Sequence, residues 1–143
     1  MQAQNLRSNV NYVLAATHAP PGELANATIG FTSTFAGIHV QNSYNSRLQP
    51  LQVFRTTGAT LSATQLPLTT CLGIVGNVMH CVYGFGAGSG DNGNVQSILN
   101  CRDANRTQNF SYDNLNRIQN AYTTGSSPFD QEIDYYAYGG RST

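Results

Sequence analysis

The sequence predicts an all-β protein built from antiparallel β-hairpins, on three observations. Turn signals recur at short intervals along the chain, the segments between them favour strands, and two stretches far apart nearly repeat each other. Antiparallel strands connect through tight turns, whereas parallel strands need a long crossover, so this spacing argues against βαβ units.

The elements follow in order. Pro20-Pro21-Gly22 separates VNYVLAATHA from ELANATIGF, Asn45-Ser46 follows GIHVQNSY, and Gly58 follows PLQVFRTT. Residues 59–70, rich in Ser, Thr and Gln and interrupted by Pro67, break this rhythm and read as a longer loop or insertion. Asp91, Asn92, Gly93 and Asn94 form a turn between CVYGF and VQSILNC, and Asp103-Ala104-Asn105 precedes RTQNFSY. Residues 1–143 thus read as a single repeat region. The strands around Gly37–Tyr44 and ending at Tyr138 are expected at its edges.

FSYDNLNRIQNAYTTG, residues 110–125, supports two readings. Leu115, Ile118 and Tyr122 fall at helical spacing, but Phe110 and Tyr112 alternate with polar neighbours, as do Ile118, Asn120 and Tyr122. An internal comparison decides for the hairpin. QNSYNSRLQPLQVF, residues 41–54, runs beside QNFSYDNLNRIQNAY, residues 108–122, with Arg47-Leu48-Gln49 set against Arg117-Ile118-Gln119 and the second turn longer. Pro50 in the first copy would break a helix, so a shared structure is two strands joined at 113–116.

Tyr112-Asp113-Asn114-Leu115-Asn116-Arg117-Ile118, following the turn at 92–94, resembles the YD repeat of the Rhs family. Tyr44-Asn45-Ser46-Arg47-Leu48-Gln49-Pro50 is similar to a variant copy, and Tyr136-Ala137-Tyr138-Gly139-Gly140-Arg141 to the opening of a third. The resemblance implies hairpins stacked into part of a spiralling β-sheet shell, with neighbouring YD repeats or an encapsulated toxin domain as partners. It also implies a secreted or cell-surface location and a structural role for the motif residues. The chain has no Asp-Pro dipeptide, the site of self-cleavage in such shells, so wall rather than toxin release is the expected role. A Tyr at a strand end can lay its ring across neighbouring hairpins, the next Asp or Asn can bond turn amides, and the Arg can stack or pair. Such units rely on their neighbours for burial.

Composition narrows the alternatives. Net charge is zero, charged residues make up 10%, and all seven basic residues are Arg, which suits neither a nucleic-acid backbone nor an anionic membrane. LGIVGNVM, residues 72–79, is far short of the roughly 20 residues of a spanning helix. The amino-terminal residues lack the apolar core of a signal peptide.

No catalytic, cofactor or metal site is expected. Cys71, Cys81 and Cys101 are an odd set, read as small buried residues in strands, with one bridge and one free thiol as the alternative. His80 and Cys81 are adjacent in a strand and point to opposite faces, which disfavours a Cys-His nucleophile or zinc site. The GxGxxG string at 88–93 precedes a strand, not the helix a dinucleotide fingerprint requires. His18 and His39 read as surface or strand residues. The second function class is a secreted all-β module that binds glycan or a cell surface through tyrosines such as Tyr135, Tyr136 and Tyr138.

Overall fold

A computed structural model describes residues 3–5, 10–62, 70–86, 92–126 and 128–135. Its strands are β1 (Ala3–Asn5), β2 (Val10–His18), β3 (Leu24–Phe31), β4 (Ile38–Tyr44), β5 (Pro50–Thr56), β6 (Asn77–Gly84), β7 (Ser97–Asn100), β8 (Gln108–Tyr112), β9 (Ile118–Thr123) and β10 (Asp130–Glu132). They form one ten-stranded sheet in sequence order, each strand antiparallel to the next. The expected all-β hairpin architecture is therefore present. The helical segment among the described residues is one 3-10 turn, Ala104–Arg106, capped by the Asp103 side chain.

Residues 108–123 settle as β8 and β9, so the hairpin reading holds over the helical one. Helical spacing of three apolar residues is outweighed by cross-strand pairing of Phe110 with Ala121 and of Asn109 with Tyr122. The edge expectation is corrected in part. β4 lies between β3 and β5, whereas β1 and β10 are the outermost described strands; Tyr138 lies outside the described residues.

The sheet buries little, and mostly at its centre. Gln52, Phe54 and Thr56 alternate along β5 and are fully buried, because successive strand residues face opposite sides. Register sets Gln41 and His80 beside Phe54, with Phe54 and His80 rings edge to face at 5.0 Å between centroids. This patch is roofed by the segment leaving β5. The Gln41 side chain donates to the Leu61 carbonyl at 2.9 Å and accepts from the Leu61 amide at 2.6 Å, an amide imitating a strand partner, and Leu61 is buried. On the other face, Ala27 and Val40 pair and are buried.

A meander places its connections on two rims. The β2–β3, β4–β5, β6–β7 and β8–β9 connections share one rim, and the other connections share the opposite rim. The long connection expected around 59–70 leaves from the opposite rim, between β5 and β6. It is held there by a disulfide from Cys71 to Cys101, beside β7, with Cα atoms 5.0 Å apart. Three cysteines therefore resolve as one bridge and one free, half-buried Cys81, and the reading of all three as unbridged strand residues is corrected.

Candidate functional site

The first rim carries the motif that the sequence singled out, and its geometry starts from one side-chain oxygen. Asn45 Oδ1 accepts from the amides of Arg47 and Gln49, and Asp113 Oδ1 accepts from those of Leu115 and Arg117. Backbone bonds coincide as well. The Asn45 amide donates to the Gln49 carbonyl and the Leu48 amide to Asn45, as the Asp113 amide donates to Arg117 and the Asn116 amide to Asp113. Leu48 and Asn116 take left-handed φ values of 66° and 60° at the same place in each turn.

The two turns therefore have equal length. Asn45 corresponds to Asp113, Leu48 to Asn116 and Gln49 to Arg117, which corrects the expected match of Arg47 with Arg117 and the expected longer second turn. Residue identity misaligned them because the pairing that matters is set by backbone bonds. A register shift falls just before each tyrosine, so Tyr44 pairs with Pro50 and Tyr112 with Ile118.

A third turn of the same build was missed in the sequence. The Ala19 amide donates to the Glu23 carbonyl and the Gly22 amide to Ala19, Gly22 has a positive φ, and a register shift precedes His18. His18 thus stands where the other copies have Tyr. The visible signal was Pro20-Pro21-Gly22, read only as a separator.

Each tyrosine ties its strand end to the start of the previous hairpin's second arm. The hydroxyl of Tyr44 donates to the Leu24 carbonyl at 3.1 Å, that of Tyr112 to Val95 at 2.7 Å, and that of Tyr135 to Ile118 at 2.9 Å. Two residues before the tyrosine, the Phe110 amide donates to Gln96 and the Ile133 amide to Gln119, which puts Tyr135 in the position of Tyr112. The string from Tyr136 through Tyr138 to Arg141, expected to open a further copy, lies outside the described residues. Burial pushes the Tyr112 hydroxyl pKa up.

The second copy closes its turn with an ion pair. Arg117 Nε and Nη2 both approach Asp113 Oδ2 at 2.6 Å, and the guanidinium carbon lies 4.2 Å over the Tyr135 ring. The Arg117 amide and then its side chain, with the Leu115 amide, hold the Asp113 carboxyl below its ordinary pKa. The first copy replaces this with a neutral bond from Asn45 Nδ2 to Gln49 Oε1 at 2.6 Å. Amide side chains then link the turns: Gln49 donates to the Gly93 carbonyl, and Asn92 and Asn94 both donate to Asn116 Oδ1. The Asn94 amide donates to Asn92 Oδ1, and Gly93 takes a positive φ; Asp91 lies outside the described residues.

Between the first two turns lies a groove of about 350 Å³, lined by Pro20, Pro21, Tyr44 and Leu48. His80, by contrast, is enclosed. Its Nε2 meets the Gln52 side chain at 3.0 Å, its Nδ1 has no hydrogen-bond partner, and burial lowers its pKa. His39 Nδ1 meets Thr28 Oγ1 at 3.1 Å. No group of three or more His, Cys, Asp or Glu residues able to hold a metal occurs among the described residues. No helix among them is long and apolar enough to cross a membrane. No protein-family model matches the chain, and no curated protein matches it.

Proposed function

We propose that this chain is a non-catalytic wall segment of a shell of the Rhs/YD-repeat type, whose work is to enclose or display a toxin or surface domain. The observation that carries this reading is the recurrence of one tyrosine-and-turn unit on one rim of an open sheet, with its hydroxyl always bonded to the preceding hairpin. A bond that joins successive hairpins lets a sheet grow by repetition, and a unit that spends its polar groups on its neighbours leaves none for turnover. The Cys71–Cys101 bridge supports an oxidising, secreted or cell-surface setting.

The test is electron microscopy of the intact gene product. A hollow particle with a sheet wall supports the reading, and turnover of any substrate that depends on Asp113 or Arg117 contradicts it. The second reading, a glycan- or surface-binding module, is favoured by the groove between Pro20, Pro21 and Tyr44. Saturable binding on a glycan array by a monomeric protein, lost on Tyr44→Ala, would put it first.

A further inference from the structure

The opposite rim holds a second concentration of chemistry that the tyrosine repeat does not use. There the Cys71–Cys101 bridge fixes the β5–β6 connection against the β7–β8 turn. Two adjoining cavities share Arg102. One, of about 520 Å³, is polar and lined by Asn100, Arg102, Asp103 and Arg106. The other, of about 340 Å³, is lined by Leu72, Ile74, Val75 and Cys101 among others, and Val75 is 90% exposed.

The polar cavity is braced from within. Asn100 Oδ1 accepts from the amides of Arg102 and Asp103, Asp103 Oδ1 accepts from the Asn105 amide, and Thr107 Oγ1 accepts from the Asn100 amide. Arg102 Nη1 donates to the Val78 carbonyl at 3.0 Å, which anchors one corner of its guanidinium. Arg106 Nε pairs with Asp103 Oδ2 at 3.3 Å, and its side chain is 79% exposed. A guanidinium has five N–H donors, so both arginines keep donors for a further acceptor. Two cations face one carboxylate, leaving the cavity net positive.

The geometry points to a docking cleft for an extended peptide segment that carries a carboxylate next to an aliphatic side chain. The carboxylate meets Arg102 and Arg106, where paired N–H donors suit its planar oxygens, and the aliphatic group enters beside Leu72, Ile74 and Val75. An acidic sugar would satisfy the arginines but not this wall, because sugars stack on aromatic rings and the groove presents branched aliphatic residues. An exposed valine held on a cross-linked loop loses little freedom on covering, so its burial favours binding. The site lies on the rim away from the tyrosines and does not rest on the wall reading.

Fluorescence polarisation with the oxidised full chain tests it, using a fluorescein-labelled Gly-Ser-Ile-Asp-Glu-Gly peptide and its Ile-Asn-Gln counterpart. Saturable binding of the acidic peptide is expected. It should weaken about tenfold in the amide peptide, in Arg106→Gln and in Val75→Asp, as for loss of one charge-assisted or well-buried contact, and fall as salt is raised. Arg106→Gln alters an exposed side chain, so an unchanged melting temperature separates lost binding from lost folding. Equal binding of the two peptides, no saturation, or Arg106-dependent binding of a uronic acid trisaccharide in place of the peptide overturns the proposal.

Discussion

Leu48 sits in a left-handed conformation that a side chain with a Cβ disfavours, at a place where equivalent turns use Gly22 and Asn116. Leu48→Gly should therefore leave stability within about 1 kcal/mol of the parent, the relieved strain offsetting the burial given up by a leucine that is 41% exposed. Urea unfolding measures it, and a larger loss of stability would mean that the groove contact to Pro20 and Pro21 outweighs the strain. Tyr112→Phe should cost about 1 kcal/mol, the net worth of the hydroxyl bond to Val95. Asp113 gives a pH dependence whose sign is fixed. Its folded pKa is depressed, so the unfolded chain takes up the proton more readily, and stability present above the ordinary carboxylate range is lost as pH falls through it. Asp113→Asn should fold, as the Asn45 turn does, and show a flatter acid limb in thermal melts. Tyr44, Tyr112 and the acceptor at 45 and 113 were legible because turn chemistry is written in side chains. Leu48 was not, because φ is a property of backbone that the letters Arg, Leu and Gln do not disclose.

Pairs of strands and their connections carry different consequences. The Cys71–Cys101 bridge spans 30 residues, and removing it with Cys71→Ser and Cys101→Ser should cost about 3–4 kcal/mol in the chain-entropy account. Equal denaturation midpoints for oxidised and doubly substituted protein would refute that. His80, on β6 and buried against Gln52 and Phe54 of β5, takes up its proton less readily folded than unfolded. Stability should therefore decline as pH falls from about 6.5, and His80→Leu should flatten the decline in melting temperature. Pairing across the short turns followed from turn spacing, because a five-residue turn leaves the next strand nowhere to pair but beside the last. The order of the whole sheet did not, since the strand at 37–44 was expected at an edge and lies inside. The bridge and the Gln41–Leu61 clamp were beyond such reasoning. Both depend on where the two ends of a long connection dock, and a stretch of Ser, Thr and Gln does not specify those places.

At the scale of the molecule, β1 and β10 each have a strand partner on one side among the described residues. Asp130 and Glu132 are exposed on β10, so two such edges repel, whereas β1 is uncharged. Association should accordingly run head to tail, which does not close after two copies, and sedimentation velocity should give a broad, concentration-dependent series. A sharp dimer at all concentrations would argue for another surface. The two rims add a separate consequence. Turns 19–23, 45–49 and 113–117 share one length and one set of backbone bonds, so a single inserted residue there breaks the amide bonds that hold the tyrosine end together. On the far rim, lengths vary from one connection to the next, and longer loops cost little more to close. A flexible sequence grafted into the long β5–β6 connection, after Ser62, should leave the melt nearly unchanged, while one residue added after Ser46 should lower it by several degrees. Three of the four connections on the first rim thus act as a ruler that keeps the spacing of the units, the longer one between Gly84 and Ser97 being the exception, while the other margin is a pegboard on which foreign sequence can be hung.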